Sequence, residues 1–334
     1  MGCLEFTELV PNSGMKRTLG RSGIEVGALG MGCWAMGGPV RTSDTHELRG
    51  WGDVDDDESI RAIHWALDQG VNLFDTADCY GAGHSECVLG RALAGRRQQV
   101  VIASKFGNSF DEKTKVLGAA FVDRDYIRRC CERSLDRLQT DTIDLYQLHV
   151  GGLATDQVDL ILETLEQLVQ EGKIRFYGWS TDNPEGPKFF ARGTHCTAMQ
   201  QRINIFEPSI EALRACERHN LASLNRGPLA MGILTGKFSY DSKMPDNDVR
   251  RHWDFADGPE AGRLDILESL REILTSGGRT LAQGALGWLW SHSPIAIPIP
   301  GFKSMMQAKE NIAAMNFGPL SEDQMRQIDQ ILND

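Results

Sequence analysis

The chain has 334 residues, of which 41% are hydrophobic and 24% charged, and its formal net charge is −11 at pH 7. This composition is ordinary for a soluble globular protein, and the length suits one large α/β barrel or two ordinary domains. The acidic balance argues against nucleic acid or an anionic membrane as the main partner, although local basic residues can still hold a small anion. The sequence contains no apolar run near the roughly 20 residues that a membrane-spanning helix needs.

The first 14 residues, MGCLEFTELVPNSG, lack the basic start and apolar middle of a signal peptide. We interpret residues 1–14 as a flexible leader, of vector origin if Met15 is the natural start. Residues 15–334 show no break in composition and no Pro/Ser-rich linker, which indicates a single domain. The eight cysteines are scattered without a Cys-x-x-Cys pair, which indicates free thiols in a reducing cytoplasm.

The first part of the chain predicts a hairpin, a strand, a loop and a helix. The hairpin turns around Gly20–Gly23, and a buried strand runs from Val26 to Met31 into Gly32-Cys33-Trp34. Residues 37–57 are rich in Gly, Asp and Thr, which is typical of a loop. An N-cap at Asp55–Asp57 then begins a helix that ends at Gly70.

Strands and helices alternate along the rest of the chain. The predicted strands cover residues 71–75, 99–105, 142–149, 174–180, 197–203, 221–225 and 294–298. The predicted helices cover residues 84–95, 124–139, 156–171, 184–192, 207–219, 262–276, 280–291, 304–315 and 321–332. With the first buried strand there are eight strands, which favours a closed (β/α)8 TIM barrel with an N-terminal β-hairpin and extra C-terminal helices over two open sheets.

Five of the predicted strands become polar at their C-terminal ends. Alternation places the following residues on the inner side of the barrel: Val71, Leu73 and Asp75; Val101, Ala103 and Lys105; Ile143, Leu145, Gln147 and His149; Phe176, Gly178 and Ser180; Ala198 and Gln200. Buried polar groups cost free energy unless they are paired. We therefore expect these ends to pair with one another and with a ligand, at the face where barrel active sites lie.

Tyr80, five residues after Asp75, adds an acid to this group. The pKa of a free tyrosine is near ~10, and a nearby ammonium lowers it, so Lys105 is expected to activate Tyr80. Lys105 needs a counter-charge, which Asp75 supplies, and His149 can donate a hydrogen bond to a substrate oxygen. Together these residues predict protonation of a carbonyl oxygen while a nicotinamide cofactor supplies the hydride, since no side chain can do so.

Six motifs in the chain carry a wider resemblance: FDTADCYGAGHSECVLGRAL, VVIASKFG, SLDRLQTDTIDLYQLH, GWST, LNRGPLAMGILTGKF and IPIPGFKSMMQAKENIAAM. In this order they resemble the aldo/keto reductase superfamily over roughly residues 15–332. The resemblance implies reduction of aldehydes and ketones to alcohols, with Asp75, Tyr80, Lys105 and His149 as a catalytic tetrad and Tyr80 as proton donor. It also implies NADPH bound across the barrel mouth without a Rossmann fold, NADH being the less favoured cofactor.

The resemblance also implies cofactor contacts, position by position. The nicotinamide carboxamide would be held by Ser180 and Gln200, and the diphosphate by the segment 227–231. The 2′-phosphate would be held by Lys303, Ser304 and Gln307, and the adenine by Glu310 and Asn311. The full implied set is Gly32, Cys33, Trp34, Asp75, Ser180, Thr181, Gln200, Arg226, Gly227, Pro228, Leu229, Met231, Gly301, Lys303, Ser304, Gln307, Glu310 and Asn311. The substrate pocket would be lined by Trp34, Tyr80, Phe106 and His149.

Three positions depart from the family pattern. Thr181 stands where many members have Asn, which weakens one carboxamide contact. Gln307 stands where many NADPH-specific members have Arg, and Lys303 partly replaces that charge. Arg226 stands where many members stack an aromatic ring on the nicotinamide. A planar guanidinium also stacks, and its positive charge is expected to disfavour the oxidised, cationic ring.

Two other classes of function share features with this sequence. A regulatory cofactor-binding module, resembling potassium-channel β subunits, would keep the same four residues. A metal-dependent barrel hydrolase would need His-x-His and carboxylate ligand sets that the sequence lacks, so no metal is expected. The expected partner is a small carbonyl compound, selected by the loops 37–57, 106–122 and 238–261. The polar loop 238–261 favours a sugar or hydroxy-aldehyde, and the sequence makes no prediction of oligomeric state.

Overall fold

The computed structural model describes residues 14–333, so the predicted leader lies outside the described residues except for Gly14. The strands are β1 (Lys16–Thr18), β2 (Glu25–Gly27), β3 (Met31–Gly32), β4 (Val40–Thr42), β5 (Leu48–Arg49), β6 (Leu73–Asp75), β7 (Val101–Phe106), β8 (Asn108–Asp111), β9 (Val116–Ala120), β10 (Ile143–Leu148), β11 (Ile174–Ser180), β12 (Cys196–Arg202), β13 (Ala222–Arg226) and β14 (Ala296–Pro298). The helices are α1 (Asp56–Asp68), α2 (His84–Ala92), α3 (Arg124–Leu138), α4 (Val158–Gln170), α5 (Gly186–Phe190), α6 (Ile210–Arg218), α7 (Pro259–Thr275), α8 (Leu281–His292), α9 (Met305–Ala313) and α10 (Glu322–Asn333). Of the helices in residues 14–333, none is long and apolar enough to cross a membrane.

Eight parallel strands form one sheet in the order β3-β6-β7-β10-β11-β12-β13-β14. The first and last of these strands meet, because Gly30 N donates to Pro298 O and Gly32 N donates to Pro300 O, each at 3.0 Å. Gly32 also pairs with Gly301 in a parallel bridge. These bonds close the sheet, so the predicted (β/α)8 barrel is confirmed, as are the N-terminal hairpin and the extra C-terminal helices α9 and α10.

Four helices, α1, α3, α8 and α9, begin where a short polar side chain caps the first turn. Asp55 accepts a hydrogen bond from Glu58 N at 3.0 Å, as the sequence predicts, and Asp123 accepts one from Tyr126 N at 2.9 Å. Thr280 caps α8 in the same way. Each cap satisfies backbone N–H groups that have no partner inside the helix. Capping therefore helps to fix where these four helices start.

A separate cluster of buried side chains fills the barrel interior: Leu19, Val26, Leu73, Val101, Ala103, Leu145, Ala198, Ala222, Leu224, Ile297 and Ile299. Leu19 and Val26 belong to the hairpin segment 16–27, which packs under the N-terminal ends of the strands. Gly20 in its turn has φ +51°, and a Cβ there would lie 2.0 Å from the carbonyl oxygen of Thr197. Only glycine permits this approach, so the hairpin closes the N-terminal end of the barrel.

Two details of the predicted interior are wrong. The strand predicted from Val26 to Met31 is divided between β2 and β3, because the chain turns between the hairpin and the barrel. Val71 and Ile143, which alternation placed inside, pack in the outer cluster between the sheet and the helices. Val71 precedes β6 and Ile143 is the first residue of β10, so both lie at the end of the barrel that the hairpin fills.

The predicted loops 37–57 and 106–122 also contain strands. The hairpins β4–β5 and β8–β9 join in a four-stranded sheet, in which β4 and β9 are parallel and Arg41 pairs with Val116. Because this pairing joins distant parts of the chain, neither segment shows it in its own sequence. Lys115 in the second hairpin donates from Nζ to the carbonyl oxygen of Gly81 at 2.7 Å. The small sheet is thereby attached to the turn that carries Tyr80.

We expect Leu19→Ala to lower the free energy of unfolding by about 2–5 kcal/mol, because it leaves a cavity in the plugged end of the barrel. Chemical denaturation of the purified protein measures this change. Leu160→Ala on α4, at a residue that is 38% exposed, is the matched control and should change stability by less than about 0.5 kcal/mol. Equal losses in the two variants would contradict the role of the hairpin as a plug.

Candidate active site

A buried lysine lies at the centre of the C-terminal face of the barrel. Lys105 Nζ donates to Asp75 Oδ2 at 2.7 Å, to Thr76 O at 2.7 Å and to Tyr80 Oη at 3.1 Å. Lys105 is 0% and Asp75 2% exposed, so both charges are withdrawn from water. Burial lowers the pKa of Lys105, but Asp75 and then Tyr80 raise it, and the pKa lies above its ordinary value. The lysine is therefore charged at neutral pH, and all three of its protons have acceptors.

Amide side chains complete the floor of this site. Asp75 Oδ1 accepts hydrogen bonds from Gln200 Nε2 at 2.7 Å and from Gln147 Nε2 at 3.2 Å. Ser180 Oγ donates to Gln200 Oε1 at 3.4 Å. These side chains end neighbouring strands, and alternation predicted that they would face one another. Alternation predicts that Gln147 points inward, but its contact with Asp75 could not be predicted from the sequence.

Aromatic side chains stand above this floor. The Tyr80 ring stacks on Trp34 with a centroid distance of 6.0 Å and meets His149 edge-on at 5.8 Å. Trp51 packs edge-on against Trp34 at 5.0 Å. Sequence reasoning missed Trp51, because it belongs to a segment that was treated as an irregular loop. Tyr80, His149 and both tryptophans are half-buried, so they form the accessible wall of the cleft.

The expectation that Phe106 lines the substrate pocket is wrong. Phe106 is fully buried, and its ring stacks on Tyr146 at a centroid distance of 4.6 Å in the outer cluster. It follows Lys105 in β7, and successive side chains of a strand point to opposite faces. Since Lys105 points into the barrel, Phe106 points away from it.

The pKa of Tyr80 moves in the direction opposite to the one expected. Burial raises it, Lys105 lowers it and Asp75 raises it, and the result is a pKa of about 12. The sequence-based expectation considered the ammonium and omitted both burial and the nearby carboxylate. Tyr80 therefore keeps its proton at neutral pH, as a proton donor must. The contact with Lys105 is then available to stabilise the phenolate once the proton has left.

His149 is held as a neutral imidazole. Burial lowers its pKa most, followed by the charges of Lys105 and Arg226, and the pKa falls to about 3. The backbone of His149 is fixed on both sides, because its N–H donates to Phe106 O at 2.7 Å and its carbonyl oxygen accepts from Asn108 Nδ2 at 2.8 Å. A neutral ring carries one proton, on either Nδ1 or Nε2.

Two residues of α2 attach this helix, which follows the turn that carries Tyr80, to its surroundings. Ser85 Oγ donates to Cys33 O at 2.9 Å and is hydrogen-bonded to Thr76 Oγ1 at 2.8 Å. Glu86 is fully buried and accepts hydrogen bonds from Ser104 Oγ and, at 2.8 Å, from Arg137 Nε. Sequence reasoning missed both residues as positioning groups, although Ser85 and Glu86 lie in a motif that carried the resemblance. Their signal was a Ser-Glu pair at the start of a helix, directly after the tyrosine turn.

The segment 227–231, the expected diphosphate site, has an unusual backbone. Gly227, Ala230 and Met231 have φ values of 60°, 46° and 52°, which lie in the left-handed region. Such conformations turn successive N–H groups toward one side and create concave sites for anions. Arg250 Nη1 donates to Met231 O at 2.9 Å and is itself held by the carboxylate of Asp248. Arg250 thus supports the segment, a role that its sequence position did not predict.

Arg226 has an ion-pair partner that the sequence did not predict. Its Nη2 contacts Asp182 Oδ2, and Asp182 Oδ1 also accepts a hydrogen bond from Arg202 N at 2.7 Å. The expected effect of a free guanidinium on the oxidised cofactor is therefore reduced by a carboxylate beside it. Thr181 is 2% exposed, and its hydroxyl donates to Gly151 O at 2.9 Å.

The residues expected around the adenosine form the start of α9. Ser304 Oγ caps the helix through Gln307 N at 3.3 Å, and Lys303 N donates to Gln307 Oε1 at 2.7 Å. Lys303 Nζ donates to Trp51 O at 2.6 Å. Asn311 Nδ2 donates to Gly301 O at 3.3 Å, while Gln283 Nε2 donates to the backbone oxygen of Glu310 at 3.2 Å.

Three cationic side chains, Lys237, Arg250 and Lys303, lie near the start of α9. Burial lowers the pKa of Lys237 most, and the charge of Arg250 lowers it further. The pKa of Lys303 is also lowered, by burial and by Arg250, while Asp248 raises it. Three cations that share mainly one carboxylate form a site suited to an anion. Sequence reasoning did not identify Lys237 as a site residue, although it lies in the motif LNRGPLAMGILTGKF. Within residues 14–333, no group of three or more His, Cys, Asp or Glu side chains is arranged to hold a metal ion.

Comparison with known proteins agrees with this architecture. The aldo/keto reductase family profile matches residues 28–333, and the chain therefore belongs to this family of oxidoreductases, which act on carbonyl and alcohol groups. It is 31% identical to the aldo-keto reductase YhdN of Bacillus subtilis over 317 residues, covering 93% of this chain and 91% of that protein. It is 29% identical to a chloroplastic pyridoxal reductase of Arabidopsis thaliana over 331 residues, covering 91% and 82%.

Solved structures are similar over almost the whole chain. The glycerol dehydrogenase AKR11B4 of Gluconobacter oxydans superposes with a TM-score of 0.80 at 31% identity, covering 95% of this chain and 94% of that one. An aldo-keto reductase of Klebsiella pneumoniae in complex with NADPH has a TM-score of 0.70 at 27% identity, covering 95% of each chain. The barrel of this protein is therefore shared with enzymes of the family from several bacteria.

We expect Asp75→Asn to destabilise the protein by about 3–5 kcal/mol, because it leaves the ammonium of Lys105 buried without its carboxylate. Burial then lowers the pKa of Lys105 in the variant. The loss should accordingly be greatest near neutral pH and shrink as the pH rises from the lowered pKa of Lys105 in the folded variant toward the ordinary lysine value of ~10. The double variant Asp75→Asn/Lys105→Met should be more stable than Asp75→Asn alone. Denaturant titrations at several pH values test this, and an additive double variant would refute it.

A second expectation follows from His149. Between an unfolded pKa of about 6.5 and the folded value of about 3, the unfolded chain binds a proton that the folded protein does not bind. Stability should therefore fall as the pH is lowered through this window, and His149→Asn should make the fall shallower. His46→Asn, at an exposed histidine, is the control. An unchanged slope in His149→Asn would contradict a neutral His149 in the folded state.

Proposed function

We propose that the protein reduces aldehydes or ketones to alcohols with NADPH, and that Tyr80 gives the proton to the carbonyl oxygen. One observation carries this proposal: Lys105 Nζ contacts both the Asp75 carboxylate and the Tyr80 hydroxyl, beside His149 and at the open end of the barrel. Family membership supports the reaction class.

Each residue has one task in the proposed reaction. A nicotinamide dinucleotide, when bound, supplies the hydride. As negative charge develops on the carbonyl oxygen, Tyr80 Oη transfers its proton to that oxygen. A tyrosine with a pKa of about 12 is a strong enough acid for this step, because an alkoxide is about as basic as hydroxide. Lys105 stabilises the resulting phenolate, and Asp75 keeps the lysine charged and in place. His149, as a neutral donor, orients the carbonyl oxygen.

The residues at the mouth are suited to a phosphorylated dinucleotide. The left-handed backbone of segment 227–231 and the cations Lys237, Arg250 and Lys303 would hold phosphates. Ser180 and Gln200, which are hydrogen-bonded to each other beside Asp75, would hold the nicotinamide amide. The similar reductase of Klebsiella pneumoniae is in complex with NADPH, which supports this cofactor.

The wall of the cleft favours a substrate with a flat ring. Trp34 stacks on Tyr80, and Trp51 stands against Trp34, so aromatic surface surrounds the proton donor. The polar loop 238–261 is the basis for expecting a sugar-like substrate. Two of its charged residues, Asp248 and Arg250, form an ion pair with each other. An aromatic aldehyde is therefore the better candidate, and the similarity to a pyridoxal reductase supports it.

The proposed setting is a reducing compartment such as the cytoplasm. Seven cysteines in the described residues are free, and six of them are buried. Burial raises the pKa of the adjacent Cys130 and Cys131 to about 12, so these thiols stay protonated. Buried, protonated thiols are typical of proteins in a reducing environment.

We expect Tyr80→Phe to reduce the turnover of para-nitrobenzaldehyde by roughly 10²–10⁴-fold, because the general acid is lost. The loss of NADPH absorbance measures the rate, and fluorescence titration should give an NADPH affinity close to that of the wild type. Tyr240→Phe, at a tyrosine that is 49% exposed, is the control and should keep full activity. A wild-type protein that binds NADPH but turns over no carbonyl would instead indicate a regulatory binding module. Retained turnover in Tyr80→Phe would remove Tyr80 as the acid.

A matched pair of substrates tests the aromatic wall. We expect a kcat/KM about two- to tenfold higher for pyridoxal than for glyceraldehyde, since stacking on aromatic rings is worth roughly 0.5–1.5 kcal/mol per pair beyond burial. Trp34→Ala should reduce this preference and leave glyceraldehyde turnover much less affected. Assays with NADPH and with NADH show whether the preference depends on the cofactor. An equal preference in wild type and Trp34→Ala would exclude stacking as its cause.

A further inference from the structure

Cys79 lies directly before the proposed proton donor and contacts the histidine on the other side of the cleft. Its Sγ is 3.6 Å from Nδ1 of His149, within hydrogen-bonding range for sulfur, and the residue is 7% exposed. We infer that Cys79 is a positioning residue that holds His149 in the tautomer with its proton on Nε2. The inference rests on the proposed carbonyl reduction, in which that proton binds the substrate oxygen.

The position of the His149 ring is fixed without Cys79. Its backbone is held by Phe106 O and Asn108 Nδ2, and the ring rests edge-on against Tyr80. None of these contacts decides which ring nitrogen carries the proton. Among the hydrogen bonds of residues 14–333, Nδ1 is bonded to Cys79 Sγ and Nε2 has no partner. The proton on the imidazole is therefore assigned by the thiol.

The thiol is suited to donate to Nδ1. Burial raises the pKa of Cys79 far above its ordinary value, with the neighbouring Asp78 adding to the effect, so the S–H proton is retained. A neutral imidazole has one donor and one acceptor nitrogen. If S–H donates to Nδ1, Nε2 carries the proton and presents a donor to the cleft. In the opposite arrangement Nδ1–H would point at sulfur, a weak acceptor, and a bare Nε2 lone pair would face the carbonyl oxygen.

A role in packing alone makes a different prediction. A cysteine that only fills space can be replaced by alanine or valine with a change in stability and no change in the histidine. A cysteine that assigns the tautomer can be replaced only by another donor, and serine is the nearest one. Cys79→Val is close in volume and lacks the donor, so it separates the two roles.

The experiment compares Cys79→Ala, Cys79→Val and Cys79→Ser with the wild type, and uses Cys87→Ala, at a half-buried cysteine of α2, as control. Ring nitrogen and carbon chemical shifts of labelled histidine report the tautomer, and the His149 signals are identified by their loss in His149→Asn. We expect Nε2–H in the wild type, in Cys87→Ala and in Cys79→Ser. The alanine and valine variants should gain the Nδ1–H form.

Kinetics supply the second measurement. Cys79→Ala and Cys79→Val should lose about three- to tenfold in kcat/KM for the carbonyl, the size of one net hydrogen bond, with NADPH affinity unchanged. Cys79→Ser should retain most of the activity. An Nδ1–H wild type, or alanine and valine variants with the wild-type tautomer, would overturn the inference, as would a tautomer change without loss of kcat/KM. Because the spectra need no turnover, a wild type that is inactive on carbonyls refutes the proposed function and leaves the assignment of the tautomer to be judged on its own.

Discussion

The ion pair between Lys105 and Asp75 is the constraint on which the rest of the site depends. Both charges are withdrawn from water, and a buried charge is tolerated only when every hydrogen-bonding group around it is satisfied. Gln147 and Gln200 satisfy Asp75, while Thr76 and Tyr80 satisfy Lys105. Four barrel strands and the turn after β6 must therefore keep their register for the pair to survive. The contacts on which the proposed reaction relies are the same contacts that stabilise these two charges.

The pair also sets the charge state of its neighbours. Lys105 and Asp75 act on Tyr80 in opposite directions, so burial decides the outcome and the phenol keeps its proton. His149 stays neutral because it is buried and lies within reach of the cations of Lys105 and Arg226. The floor of the cleft therefore carries the charges of Lys105 and Asp75, whereas Tyr80 and His149 in its wall are uncharged. Two uncharged donors face the cleft, which suits a neutral carbonyl group that becomes negative only during the reaction.

Sequence alone predicted the residues at the strand ends because two simple rules place them: parallel strands end at one face, and alternate side chains point inward. Asp75, Lys105 and Gln200 follow from these rules. Trp51 and the pair between Asp182 and Arg226 do not, since they depend on contacts between segments far apart in the chain. The direction of the Tyr80 pKa also could not be predicted, because burial is a property of the assembled barrel. Phe106 follows the inward-pointing Lys105 directly, so its side chain points to the outer face of the sheet.

The hairpin at the opposite end of the barrel bears on how ligands enter and leave the site. Leu19 and Val26 close that end, while Tyr80 lies at the C-terminal face of the barrel. Two molecules that bind one behind the other in a cleft closed at its far end can enter and leave only in order. If a cofactor and a carbonyl compound bind there as proposed, the molecule that contacts Gln200 at the floor would bind first and leave last.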